Sequence, residues 1–179
     1  IAPAVTISAL SPINENGTTT LTGSFTDVSL LDTHSATVNW GDGTVEALPF
    51  VPGAGQGSFT ASHRYLDDNP TGTSSDNYTV TVTVIDDDNV SGKATKDVTV
   101  NNVAPTVDAG ANPPDANEGD IVNLGPIRFS DIGTKDTHTA NIDWGDTSPS
   151  AGAVDEANGS GNVTGSHIYA DNLPGNASY

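Results

Sequence analysis

The chain has 179 residues, room for one or two modest domains, and no cysteine, so neither a disulfide nor a thiolate enters its chemistry. Its 23 acidic and 5 basic side chains give a formal charge of −18, which repels nucleic acid and anionic membranes. Only 34% of the residues are hydrophobic, so any core has to come from strands that bury one face each.

Taken in chain order, TTTLTGSFT (18–26), ATVNW (36–40), GSFTASHRY (57–65), YTVTVTVI (78–85) and KDVTV (96–100) read as strands between Gly, Pro, Asn and Asp clusters. The clearest is 78–85, where Tyr or Val alternates with Thr at a period of two, so one face packs and the other meets solvent. The segments 48–57 and 151–161 read as long loops. No stretch carries helical periodicity, and the apolar runs are too short to span a membrane.

From residue 103 the same series begins again. IAPAV at Ile1 recurs as VAPTV at Val103, SFTD ending at Asp27 as RFSD ending at Asp131, and DTHSATVNWGDG from Asp32 as DTHTANIDWGDT from Asp136. ASHRYLDDNP from Ala61 recurs as GSHIYADNLP from Gly165. A period of about 100 residues is that of a whole β-sandwich domain, not of a small solenoid repeat. The expected fold is therefore all-β: two tandem Ig-like β-sandwiches, residues 1–102 and 103–179. The second is incomplete, with no counterpart of residues 79–102, the last two strands (F and G) of the first. Either the parent chain continues beyond Tyr179, the favoured expectation, or a neighbouring molecule supplies the strand. The charge divides evenly, with 12 acidic and 3 basic residues in 1–102 and 11 and 2 in 103–179, so acidity belongs to the repeated unit.

The motifs WGDG, SHRY, YTVTVTVIDDD and VNNVAPTV together resemble the polycystic kidney disease (PKD) domain, and more narrowly the tandem PKD-like repeats of large bacterial surface and secreted proteins. The resemblance covers both copies. It implies an Ig-like sandwich without catalysis, used as a spacer, adhesion module or accessory domain of secreted enzymes, with calcium bound in some members. The sequence departs from the commoner W-D-F-G-D-G form by having Asn39-Trp40-Gly41-Asp42-Gly43.

Trp40 and Trp144 suit either a sugar-stacking surface or a core, and the Ig-like position favours the core. Tyr78 and Tyr179 are candidates for a tyrosine corner. Ser62, His63 and Asp67 superficially suggest a catalytic triad, but neighbours on a strand point to opposite faces, so Ser62 and His63 cannot form a nucleophile–base pair. No enzyme is expected. The four histidines, His34, His63, His138 and His167, are read as capping loops or lying across strand pairs, and Asp42 and Asp146 as closing tight turns.

The remaining carboxylates are the candidate metal ligands. Asp27 and Asp32 bracket one loop, and Asp86 and Asp88 open another that lies at the same end of an Ig-like sandwich. Carboxylates crowded together repel unless a cation intervenes, and Ca²⁺ takes oxygen ligands of this kind. Asp131 and Asp136 repeat the first pair, and the linker residues Asn101 and Asn102 are expected to add oxygens beside them. The expected protein is a calcium-braced module of a long extracellular fibre, adhesin or cell-surface protein. Its partners are neighbouring repeats or other copies in a filament, with no nucleic acid and no membrane insertion. The alternatives are an accessory module of a secreted hydrolase and a phage or filament subunit completed by strand donation.

Overall fold

The computed structural model describes residues 1–68 and 72–170 and divides the chain into two units, Ile1–Asn102 and Val103–Tyr179. All of the regular structure in the described residues is β, and no helix there is long and apolar enough to cross a membrane.

The first unit contains β1 (Ala4–Ile7), β2 (Ile13–Asn14), β3 (Thr18–Thr26), β4 (His34–Asn39), β5 (Val45–Ala47), β6 (Phe50–Gly53), β7 (Gln56–Arg64), β8 (Ser75–Asp86) and β9 (Ser91–Asn101). They form two sheets, β1-β3-β7-β6 and β2-β9-β8-β4-β5. Every pairing is antiparallel except β2 with β9, where the chain has left the first sheet after β1 and joined the edge of the second. This is the two-layer arrangement of an Ig-like sandwich.

The core follows from the period of two. Along β8, Tyr78, Val80, Val82, Val84 and Asp86 face inward and are buried, while the threonines between them stay partly or fully exposed. Val98 and Val100 of β9 and Val38 of β4 extend this apolar sheet, and Leu21, Phe25 and Phe59 meet it from the other. A fully buried side chain of this kind contributes about 1.5–3 kcal/mol, which is why so few hydrophobic residues hold the unit together. The inward row also carries Asp86 to a buried position at the end of the strand.

Residues 48–57 are not a loop. They contain β6 and the hairpin into β7, and Leu48 is buried with its N–H donating to the Ala36 carbonyl at 2.8 Å. Segment 151–161 is likewise strand and hairpin. Gly, Pro and Ala hide both strands from a composition-based reading, because their pairing comes from the long neighbouring strand.

The second unit contains β10 (Thr106–Asp108), β11 (Ile121–Ser130), β12 (Ala140–Ile142), β13 (Ser150–Ala157) and β14 (Ser160–Ile168), in the order β10-β11-β14-β13-β12. β13 alone serves as the counterpart of both β5 and β6, pairing with β12 through Ser150–Gly152 and with β14 through Ala153–Ala157. Among the described residues no strand corresponds to β8 or β9. Where unit 1 seats its valine row, unit 2 has a groove of about 380 Å³ lined by Val107, Leu124, Ile127, Phe129, Ile142 and Val163.

This geometry predicts the effect of supplying a hairpin like β8–β9. A chain extended past Tyr179 by a copy of residues 79–102 should slow amide exchange at Ala140–Ile142, whose strand gains a neighbour, and reduce binding of an apolar dye. Unchanged exchange together with unchanged dye binding would show that the groove does not receive such a strand.

Candidate metal and clasp sites

Each of the four histidines joins an aromatic ring to an aspartate across the sandwich. His63 of β7 stacks on Trp40 at the end of β4, with centroids 4.9 Å apart and planes 13° from parallel. Its Nε2 lies 2.8 Å from Asp42 Oδ2. Tyr65 packs edge-on against the same imidazole and donates its hydroxyl to the Trp40 carbonyl at 2.7 Å. Unit 2 repeats the set: His167 stacks on Trp144 (5.1 Å, 15°), Nε2 lies 2.7 Å from Asp146 Oδ2, and Tyr169 donates to the Trp144 carbonyl at 2.9 Å.

Trp40 and Trp144 are both buried, so neither presents a face to a sugar. The indole N–H groups are satisfied by Glu46 Oε1 and Ser150 Oγ. Asp42 and Asp146 also close their turns, accepting the N–H of Thr44 at 2.9 Å and of Ser148 at 3.0 Å. Burial works to raise the pKa of both aspartates, but the histidine bond and the backbone N–H outweigh it and hold them below the ordinary carboxylate range. Ser62, on the other face of β7, bonds the Thr20 hydroxyl, so Ser62, His63 and Asp67 form no triad.

Tyr78 donates its hydroxyl to the Asp67 carbonyl at 3.1 Å, and burial raises its pKa to about 12. Tyr179 lies outside the described residues.

The second type of clasp stands at the opposite end of each sandwich. His34 packs against Phe25 and reaches Asp27 Oδ2 at 3.2 Å; His138 packs against Phe129 and reaches Asp131 Oδ2 at 3.1 Å. The backbone beside these aspartates is held by a hairpin tip. Asp27 N–H donates to Gly55 and Asp131 N–H to Gly159, and both glycines have positive φ. A Cβ on Gly55 would stand 2.7 Å from the Asp27 carbonyl oxygen, and one on Gly159 2.5 Å from that of Asp131.

Around the first of these clasps the structure gathers Asp27, Asp32 and Asp86, each with an oxygen within 4.8 Å of the others. Ser29 N–H donates to Asp27 Oδ1 at 3.1 Å, which with His34 holds the Asp27 carboxyl below its usual range. The Ser29 hydroxyl donates to Asp32. Asp86 is 4% exposed; its Oδ1 accepts Val90 N–H at 2.8 Å, while its Oδ2 has no hydrogen-bond partner. A buried carboxylate oxygen without a donor, beside two more carboxylates, is costly unless a proton or cation joins it.

Asp88 does not join the group. It sits exposed in the β8–β9 turn, where Asn89 has a φ of 63°. In unit 2 the corresponding cluster is Asp131, Asp136 and His138. His138 is also bonded through Nδ1 to Glu156 at 2.6 Å, and although burial opposes it, Glu156 and Asp131 raise its pKa. Asn101 ends β9, with Asn102 next to it, at the other end of unit 1 from Asp27. Asn101 Nδ2 donates to the Ile13 carbonyl at 3.1 Å, and Asn102 N–H to Ser74 at 3.1 Å.

No protein-family model matches the sequence, and none of the curated proteins compared matches it. Among solved structures it is similar to the major pilin subunit of Bacillus cereus, at 10% identity and a TM-score of 0.26. That alignment covers 88% of this chain and 65% of the pilin, so the chain spans just under two thirds of the pilin's length.

Two outcomes are expected. The folded-state pKa of Asp42 and of Asp146 lies below the unfolded value near 3.8, so their stabilisation is present above that pH and is lost as pH falls through the folded value. Asp42→Asn and Asp146→Asn should therefore flatten the acid limb of stability below about pH 4, read by thermal unfolding across a pH series. Separately, Gly55→Ala and Gly159→Ala should each destabilise by at least ~1–2 kcal/mol in denaturant unfolding, from the left-handed backbone alone.

Proposed function

We propose that this chain is a non-enzymatic, calcium-braced repeat module, PKD-like in type, from a long extracellular or cell-surface fibre or adhesin. The observation that carries the reading is the Asp27–Asp32–Asp86 group, drawn from one loop and the end of β8, 54 residues apart or more in sequence, with the unpartnered Asp86 Oδ2 buried inside it. Ca²⁺ binds about six to eight oxygens at ~2.3–2.6 Å, and three carboxylates with backbone carbonyls and water make such a shell. Asp27 retains lone pairs for a cation after bonding His34 and Ser29, because each carboxylate oxygen accepts more than one bond.

Val28, Leu30 and Leu31 stand exposed on the Asp27–Asp32 loop. A neighbouring repeat docking there would cover apolar surface while calcium neutralises the carboxylates below it. In the unit 2 cluster His138, held by Asp131 and Glu156, stands beside the two aspartates as a competitor for the cation. A hydrolase accessory role is disfavoured by the burial of both tryptophans, which leaves no indole strip for a polysaccharide.

The test is thermal unfolding and small-angle scattering with calcium and with chelator, for the native chain and for Asp86→Asn. At a hundredfold excess over Kd, calcium should stabilise unit 1 by about 2.7 kcal/mol. That corresponds to a rise on the order of 10–20 °C for a domain of this size. Asp86→Asn should abolish most of this rise. Equal melting of the native chain in calcium and in chelator would sink the reading.

A further inference from the structure

The carboxylates of unit 1 are gathered at both ends of the sandwich. Along β3, Thr26 pairs with Gln56 beside the Asp27 group, while Thr18 pairs with Arg64 at the far end. Nine strand residues at ~3.3 Å each separate those ends by roughly 30 Å. At the far end the chain leaves β2 at Glu15, whose N–H donates to the Asn101 carbonyl at 2.9 Å, and leaves β7 for Asp67 and Asp68. Tyr65 N–H donates to Gly17 and fixes these two segments together.

Glu15, Asp67 and Asp68 each place an oxygen within 4.8 Å of the others. All three are buried, and Asp68, 4% exposed, lies at a depth that an ionised side chain reaches only with a compensating partner. Asp68 Oδ2 has no hydrogen-bond partner. The nearby guanidinium of Arg64 is bonded to Asn16, through its backbone carbonyl and its side-chain oxygen.

We infer that Glu15, Asp67 and Asp68 form a second site for a hard divalent cation, calcium by its all-oxygen donor set, at the end of unit 1 where β9 runs out. The site is independent of the Asp27 group in position and in residues. Two backbone features favour it. The Asp67 carbonyl is held by the Tyr78 hydroxyl, and Glu15 is anchored to the last residue of β9, so two of the three ligands are fixed before a cation arrives. The competing resolution is a proton shared between Asp67 and Asp68, since burial and then Asp67 act to raise the Asp68 pKa.

Terbium, which substitutes for calcium, distinguishes these outcomes in the full chain. Because Tyr78 bonds the Asp67 carbonyl, excitation of tyrosine should sensitise terbium bound here, and calcium should compete the emission away. Asp68→Asn and Glu15→Gln should each lose the emission, while Asp86→Asn should keep it and lose only the separate calorimetric binding step of the Asp27 group. Circular dichroism establishes that each variant is folded. Absence of tyrosine-sensitised emission from the native chain, or emission that survives both Asp68→Asn and Glu15→Gln, would overturn the site and leave the shared proton. Either result is independent of whether the Asp27 group binds calcium.

Discussion

Closure of the sandwich depends on the stack of His63 against Trp40, pinned by Asp42. The imidazole is contributed by one sheet and the indole by the other, so the contact spans the two layers. Stacking alone leaves the ring free to slide; the Nε2–Asp42 bond fixes its plane, and the edge of Tyr65 blocks the remaining direction. The same three contacts recur around His167 in unit 2, where the described residues include no valine-bearing counterpart of β8. The relation between the two layers is therefore encoded in the tryptophan turn and the strand ending in histidine and tyrosine.

The clasp at the other end links folding to the candidate cation group. His34 and the Gly55 hairpin tip orient Asp27 from opposite sides, one through its carboxylate and one through its backbone N–H. Gly57, two residues further on, leaves room for the Phe25 ring, as Gly161 does for Phe129. The Gly-x-Gly hairpin tips thus do two jobs at once, receiving the loop backbone and the aromatic ring on which the histidine rests. An aspartate oriented by this many contacts is prepared to coordinate without losing much further freedom, and preorganisation of that kind is what makes a small carboxylate site selective.

Much of this was legible in the sequence, and what was hidden has identifiable causes. The alternation of Val and Thr gave away β8, and counting the same period two residues further places Asp86 inward with Val84. The repeated Trp40 and Trp144 marked the core correctly. Period alone did not assign the partners of the histidines: His63 and Trp40 are brought together by a sheet-to-sheet contact with no signature in local spacing. β6 and β13 were obscured because Pro, Gly and Ala carry little strand preference and are paired through the stronger β7 and β14. Glu15 was invisible for a different reason. It is a single acidic residue among Asn and Gly, and the Tyr65–Gly17 backbone bond that brings it to the segment after β7 has no signature in local spacing.

The distribution of charge then sets how such a module can meet its neighbours. The outward rows of β3 are threonine and serine, which hydrogen-bond to water and to one another but carry no charge. The carboxylates with buried, unpartnered oxygens are instead concentrated in the loops at the two ends of unit 1. Approach to the face of β3 therefore meets little electrostatic resistance, whereas approach to either end brings like charges together in a partly desolvated space, where they repel more strongly than in bulk water. Cations bound at the ends, as proposed, would reverse that sign locally without altering the β3 face. On the calcium-binding proposal, the end contacts would be the ones that respond to the divalent ion concentration.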